Sequence, residues 1–159
     1  MVKNLFPTTT VGSMPRPKYI KDLIEQETTG VLIPNFQNII DKAVPHVIQM
    51  QDYAGIDIIS DGEWRRKSYI GIIADICSGF ETNIRNVNGE RQTWHTVTSE
   101  IVVNHPGHFA REASFIKRYS DSKIKVALPS PYLIAERMWD KGLSSKVFPT
   151  RRSFTEKLI

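Results

Sequence analysis

Cysteine is nearly absent from this sequence, since Cys77 is the single one among 159 residues. One cysteine excludes an internal disulfide and a cluster of several metal-bound thiolates, and it is typical of a protein from a reducing compartment. Cys77 has no helix N-terminus or clear base beside it. We therefore interpret it as a core residue and not as a nucleophile.

Long apolar segments are missing as well. No run approaches the roughly 20 residues that a membrane span needs, and the N-terminus has no secretory apolar core. We therefore expect a soluble, cytoplasmic protein without a membrane partner.

Several common functional motifs are absent. Neither the phosphate-binding pattern G-x-x-x-x-G-K-[ST] nor the dinucleotide pattern G-x-G-x-x-G occurs. Ser13 lies in the sequence G-S-M-P, which is not the G-x-S-x-G elbow of hydrolases. The net charge of +4 comes from scattered Lys and Arg. A nucleic-acid binder concentrates its positive charge on one face, so we expect no nucleic-acid partner.

What the sequence does contain is an alternation of short β-prone runs with amphipathic helices. Apolar residues at spacings of three and four predict a long helix from an N-cap at Asn35 to about Ala54. Strand followed by helix and then strand implies parallel pairing and an α/β fold. We predict strands at 8–11, 56–60 and 124–128, and further helices at 18–27, 107–119, 132–140 and 153–159.

The middle of the chain departs from this rhythm. Residues 79–104 are rich in Thr and Val around a turn signal at 86–89, which predicts an antiparallel hairpin inserted between the α/β units. The apolar run 69–76 before it is interpreted as a helix.

Polar residues follow two of the predicted strands at the point where each strand ends. Asp61-Gly62-Glu63 follows the second strand and Gly12-Ser13 follows the first. Ligands bind beyond the carboxyl ends of parallel strands, so Ser13 and Glu63 are expected to converge on one site. A hydroxyl and a carboxylate there suit the two charged groups of a small amino acid. The alternative is a solvated loop whose carboxylates pair with Arg65 and Arg66.

His105 and His108 are candidate metal ligands, since their H-x-x-H spacing puts them within reach of one ion in a helical turn. Pro106 and Gly107 lie between them, and neither a cysteine nor an obvious third ligand is near. Two loop or N-cap histidines are the favoured interpretation, and no metal ligand is assigned.

Three segments together resemble the cobalamin-independent methionine synthase family, in particular its shorter members with a D-G-E-x-R-R signature. They are TTTVGSMPRP at 8–17, QDYAGIDIISDGEWRR at 51–66 and KVALPSP at 125–131. The resemblance implies the first three or so βα units of a (β/α)8 barrel, with 79–104 as an excursion. It also implies that residues 1–159 form one incomplete barrel domain, the N-terminal portion of the family's catalytic domain.

The resemblance further implies a reaction and a site. The family transfers a methyl group from methyltetrahydrofolate to homocysteine or a related thiol, using zinc held by His, Cys, Glu and Cys on later strands that this chain lacks. Its G-S and G-E motifs carry over to Ser13 and Glu63 as substrate-binding residues, with Gly12 and Asp61 in the same site. Full-length synthases commonly have His at the position of Asp61, which leaves homocysteine and other thiols open as substrates.

One expectation follows for activity, and two alternative functions remain open. The chain alone is predicted to be inactive, with no catalytic residue assigned in it, because the zinc ligands are missing. An alternative function is a half-barrel binding or assembly module that pairs its strand edges with a second copy or with a complementary C-terminal half. A truncated remnant without activity is the other alternative.

Overall fold

The structure, a computed structural model, describes residues 5–28, 31–87 and 89–159. These residues fall into two compact units, each described by itself. The first unit comprises the chain up to Lys67 together with Gly107–Ala127, and the second comprises Ser68–Pro106 together with Leu128–Ile159.

The described residues contain both helices and strands. In chain order they are α1 (Lys18–Thr28), α2 (Phe36–Tyr53), β1 (Ile58–Ile59), α3 (Ile72–Ile76), β2 (Cys77–Val87), β3 (Glu90–Val103), α4 (His108–Lys117), β4 (Lys123–Ile124), α5 (Pro131–Met138) and α6 (Arg151–Lys157). The mixed α/β composition agrees with the expected fold class. Among these helices, none has the length and apolar character needed to cross a bilayer.

Parallel pairing organises the first unit. β1 pairs with β4 in parallel, Ile58 opposite Lys123 and Ile59 opposite Ile124. A further parallel bridge joins Thr9 to Ile58. The predicted parallel order of the three segments is therefore confirmed.

The predicted lengths of these strands were wrong. The segment 8–11 makes only the single bridge at Thr9, and the strand predicted at 56–60 covers only 58–59. The strand predicted at 124–128 instead begins one residue earlier and covers only 123–124. The reason is that side chains satisfy backbone groups that a longer ladder would use. The Thr8 N–H donates to Asp57 Oδ2 over 2.7 Å, and the Thr9 hydroxyl donates to the carbonyl of Ile58 over 2.8 Å.

The core of the first unit lies along one face of α2. Ile40, Val44, Val47 and Ile48 are fully buried there, at the three- and four-residue spacing that predicted the helix. They form one cluster with residues of α1, β1 and α4. The expected cap at Asn35 was wrong in its chemistry, because Asn35 has a left-handed φ of 59° and its side chain makes no cap hydrogen bond.

The second unit contains the predicted hairpin. β2 and β3 pair antiparallel, with a bulge between Ser78 and Phe80. Gly79 lies in that bulge at φ 107°, where a Cβ atom would stand 2.7 Å from the Glu100 carbonyl oxygen, so glycine is required. Of the predicted turn 86–89, residue 88 lies outside the described residues. The helix expected at 69–76 is shorter than predicted and begins at Ile72.

The last two helices of the second unit begin at residues whose side chains cap them. The Ser130 hydroxyl accepts a hydrogen bond from the N–H of Leu133 at the start of α5. Thr150 and Ser153 form a reciprocal capping box at the start of α6. These caps place α5 and α6 at 131–138 and 151–157, close to the predicted helices.

Candidate functional site

Ser13 and Glu63 meet, although 50 residues separate them in the sequence. The Ser13 hydroxyl donates a hydrogen bond to Glu63 Oε2. The loops that carry them are joined by two further bonds, from the Met14 N–H to the Gly62 carbonyl (3.1 Å) and from Trp64 Nε1 to the Met14 carbonyl (3.3 Å). The convergence of the two strand ends is therefore present in the fold of the first unit.

Glu63 is buried and has an unusual backbone. Only 7% of the residue is exposed, and its φ of 59° lies in the left-handed region that favours glycine. Such a conformation costs on the order of 1 kcal/mol or more, and residues that keep it cluster at functional sites. The Asp61 carboxylate stabilises the turn because its Oδ1 accepts a hydrogen bond from the Glu63 N–H over 2.9 Å.

Gly62 makes this turn possible. Its φ is +64°, and a Cβ atom there would lie 3.1 Å from both Met14 Cβ and Val47 Cγ2. Gly12 also has a positive φ, of 72°, but a Cβ atom would meet nothing within 4 Å. Gly62 is therefore required by both conformation and packing, whereas Gly12 is required by conformation alone.

Replacing Gly62 by alanine is expected to lower the free energy of unfolding by about 1–3 kcal/mol, since it combines a strained φ with a crowded side chain. Urea denaturation of the purified protein measures this change. Gly12→Ala is the matched control because it shares the positive φ without the crowding. Equal losses in the two variants would contradict a packing role for Gly62.

Asp61 is the buried carboxyl of this loop, with 6% of the residue exposed. Burial raises the pKa of Asp61, while the hydrogen bond from the Glu63 N–H and the charges of Arg66 and Arg65 oppose that rise. Its second oxygen, Oδ2, has no hydrogen-bond partner among the residues that the structure describes. A buried acceptor of this kind calls for a partner such as a ligand or a water molecule.

The two arginines of the signature do not pair with Asp61 or Glu63, so the alternative of a solvated, self-paired loop was wrong. Arg65 Nε lies 2.9 Å from Asp41 Oδ1. Arg66 forms a bidentate ion pair with Glu112 of α4. Its Nη1 also donates a hydrogen bond to the Ala127 carbonyl over 2.6 Å. Their charges are thus used to join elements of the first unit, and the site carboxylates remain available.

Three further residues shape the site and were not assigned a role from the sequence. Gln51 in α2 is 1% exposed; its Nε2 donates to the Ser60 carbonyl (2.7 Å) and its Oε1 accepts from the Ser60 N–H (3.1 Å). Arg16 donates to the carbonyls of Glu63 and Arg66. Glu112 anchors Arg66. Gln51 lies inside the quoted segment 51–66, and Arg16 inside 8–17, so the matching motifs were the available signal.

The zinc that the resemblance implies does not fit the residues present. In the described part of the chain, no group of three or more His, Cys, Asp or Glu side chains is placed to hold a metal ion. Burial raises the pKa of Cys77, which disfavours the thiolate that zinc requires. His108 begins α4, and its Nε2 lies 3.3 Å from Glu112 Oε1.

The second unit has a cavity of its own, of about 240 Å³. Trp94, His95 and Gln92 of β3 line it together with Arg137 of α5. Burial lowers the pKa of His95, against the opposing charge of Asp75. A neutral imidazole, an indole and a guanidinium suit a planar polar ring with an anionic substituent.

Comparison with solved structures identifies the class of protein that this fold defines. A B12-independent methionine synthase from Shewanella sp. W3-18-1, solved in complex with selenomethionine, superposes with a TM-score of 0.73 at 25% identity, over 96% of this chain and 44% of the other. The fold of a Listeria monocytogenes protein, described as a putative vitamin-B12 independent methionine synthase, is also similar, with a TM-score of 0.65 at 23% identity over 96% of this chain and 44% of that one.

Sequence comparison gives the family itself. The catalytic-domain model described as "Cobalamin-independent synthase, Catalytic domain" matches residues 6–118. The methionine synthase of Sulfolobus acidocaldarius is 32% identical over 136 residues, 83% of this chain and 40% of the relative. That of Sulfurisphaera tokodaii is 30% identical over 151 residues, 89% of this chain and 43% of the relative.

The chain belongs to the cobalamin-independent methionine synthase family, as the three sequence segments indicated. It spans less than half the length of these two relatives.

Proposed function

We propose that this chain forms the amino-acid-binding part of a methionine-synthase-type methyltransferase. The reaction is transfer of a methyl group from methyltetrahydrofolate to homocysteine or a related thiol. Membership of the family supports the reaction class. The observation that carries the assignment of the site is the buried, left-handed Glu63 held against Ser13 across 50 residues of sequence.

The site is matched to a zwitterion. The Glu63 carboxylate pairs with the ammonium group of the ligand, in a buried setting where charge pairs are stronger than in water. Ser13 is exposed, and its hydroxyl can rotate from Glu63 to donate to the ligand carboxylate. Asp61 Oδ2 supplies a second acceptor for the ammonium group. Together these groups orient the thiol without reacting with it.

The same proposal places the chain in a barrel. Thr9, β1 and β4 lie parallel. α1 and α2 lie in the connection between the first two of these segments, and α4 lies in the connection between the second and the third, as the helices of βα crossovers do. We take residues 1–159 as one incomplete (β/α)8 domain, with the hairpin β2–β3 as its excursion. Methyltetrahydrofolate is the proposed methyl donor, and the lining of the cavity beside Trp94 and Arg137 suits an aromatic ring with an anionic substituent, which this donor has.

Calorimetric titration of L-homocysteine into the purified chain tests the proposed site. Stoichiometric binding supports it, because Ser13, Asp61 and Glu63 are already arranged in the first unit. The absence of binding by a folded chain would overturn it. L-Methionine serves as a second titrant, since it shares the amino-acid part and lacks the free thiol.

Methionine formation by the 159-residue chain alone is expected to stay at the level of a protein-free control. The reason is that no three His, Cys, Asp or Glu side chains of the described residues are placed to hold the zinc ion that would stabilise the thiolate. Mass-spectrometric detection of methionine, with L-homocysteine, methyltetrahydrofolate and zinc supplied, measures this. Sustained methionine formation would contradict it.

A binding or assembly module is the second candidate function. Large apolar side chains of the first unit are almost fully exposed, with Val11 at 91%, Leu32 at 90% and Tyr53 at 97%. Such exposure is typical of surfaces that are covered by a second copy or by a complementary half. Light scattering on the calorimetry sample distinguishes the candidates, because a folded monomer that binds homocysteine supports the first alone.

A further inference from the structure

The backbone of Glu63 is held by a residue far away in sequence. Nη2 of Arg16 donates two hydrogen bonds, to the carbonyl of Glu63 (2.5 Å) and to the carbonyl of Arg66 (2.9 Å). One guanidinium nitrogen thus joins both ends of the turn 63–66. The proposed function uses the side chain of Glu63, so the contact that determines its backbone also determines where the carboxylate lies.

This backbone needs such support. Glu63 at φ 59° directly follows Gly62 at φ 64°, so two consecutive residues are left-handed and the first of them alone is glycine. A non-glycine residue keeps this conformation only where its surroundings over-determine it. The Asp61 carboxylate binds the Glu63 N–H from within the same turn. Arg16 binds the carbonyl side from a different segment of the first unit.

The other nearby arginines are committed to other partners. Arg65 pairs with Asp41 and Arg66 with Glu112. Arg16 stands between Pro15 and Pro17, whose rings restrict the backbone at and before them, so its segment is stiff before it meets the turn. A guanidinium on a stiff segment is well suited to hold two carbonyls in a fixed arrangement.

The charge of Arg16 also fits this position. Burial lowers the pKa of Arg16, while the negative charges of Glu63 and Asp61 oppose that effect. Its guanidinium therefore compensates the two buried carboxylates that the proposed site presents to an ammonium group. Arg66 and Arg65 also act on the charge of Asp61, so Arg16 adds to the positive charge that stabilises the ionised carboxylates.

We infer that Arg16 is a positioning residue of the amino-acid site: by binding the carbonyls of Glu63 and Arg66, it keeps Glu63 in the left-handed conformation that directs its carboxylate to Ser13. The inference rests on the proposed function for the identity of the ligand. The effect of Arg16 on the conformation of Glu63 does not depend on any ligand.

The first test is therefore free of ligand. Crystal structures of Arg16→Gln and Arg16→Lys show whether φ of Glu63 remains positive. The one-bond Cα–Hα coupling of Glu63, measured by NMR, reports the same angle in solution. We expect Arg16→Gln to leave the left-handed region. Arg65→Gln is the matched control, an arginine of the same loop that contacts Asp41 instead, and it is expected to leave φ of Glu63 unchanged. An unchanged Glu63 in Arg16→Gln would overturn the inference.

The second test is the dissociation constant for L-homocysteine. Loss of the two hydrogen bonds in Arg16→Gln is expected to weaken binding about 30-fold, with Arg65→Gln within about threefold of the unchanged chain. Arg16→Lys retains the charge and should recover part of the affinity. Should Arg16→Gln not fold, Arg16→Lys supplies both readouts, with a smaller expected change in each.

The two tests separate the two claims. A displaced Glu63 in a chain that never binds homocysteine contradicts the proposed function and supports the positioning role. Homocysteine binding with the same affinity and the same Glu63 conformation in Arg16→Gln supports the proposed function and overturns the positioning role.

Discussion

Glu63→Gln is expected to weaken binding of L-homocysteine by at least about 100-fold, because it removes the buried negative charge that pairs with the ammonium group of the ligand. Glutamine has nearly the same shape and can still accept a hydrogen bond from Ser13, so the loop should be preserved. Calorimetric titration measures the dissociation constant. An affinity equal to that of the unchanged chain would contradict the assignment of Glu63.

The matched control is Glu25→Gln, which removes one carboxylate from the exposed face of α1 in the same unit. It should leave the affinity unchanged and so account for the change in net charge. Glu63→Gly adds a second comparison, since glycine adopts a φ of 59° without strain. We expect this variant to lose binding while the thermal midpoint of the protein stays unchanged. That result would indicate that Glu63 is retained for function despite the strain in its backbone.

Breaking the pair of Arg66 with Glu112 is expected to cost about 3–5 kcal/mol in the free energy of unfolding. The two side chains are 2% and 4% exposed. Burial lowers the pKa of Arg66, but the hydrogen bond and charge of Glu112 more than offset this and the net pKa is raised. Removing Glu112 by Glu112→Gln would therefore leave a buried guanidinium without its counter-charge. Urea denaturation followed by tryptophan fluorescence measures the loss.

Two comparisons isolate the cause of that loss. The double variant Arg66→Met with Glu112→Leu removes both charges, so it should recover most of the stability that the single variant loses. Asp22→Asn breaks the exposed pair with Lys18 on α1 and should leave the unfolding midpoint unchanged. A loss below about 1 kcal/mol in Glu112→Gln would show that the buried pair does not support the loop.

Part of the site was predictable because its signals are local. A glycine at a strand end with a carboxylate on each side, as at Gly62, is typical of a polar turn. Gly12-Ser13 is the corresponding signal at the end of the first segment. The structure brings Ser13 and Glu63 into contact. Their role in holding a substrate stays a prediction, as do those of Gly12 and Asp61.

Other contacts of the site were beyond sequence reasoning. Arg66 has two carboxylates a few residues away, yet it pairs with Glu112, 46 residues along the chain. Charge proximity in sequence favours the local pair, but Glu63 is buried against Ser13 and Asp61 accepts a hydrogen bond within the turn. Arg16 reaches the carbonyls of residues 47 and 50 positions later. No pattern in a single sequence specifies which backbone carbonyl a guanidinium will meet.

By itself, the sequence determined the helices, the hairpin, the parallel order of the strands and the family, since hydrophobic spacing, capping residues and motif glycines act over a few neighbouring residues. Only the tertiary structure decided how short the parallel strands are and which partners the arginines choose. It also decided that Glu63 is buried in a left-handed turn. These features depend on residues about 50 positions apart competing for the same hydrogen bonds, and that competition is resolved only when the segments pack together.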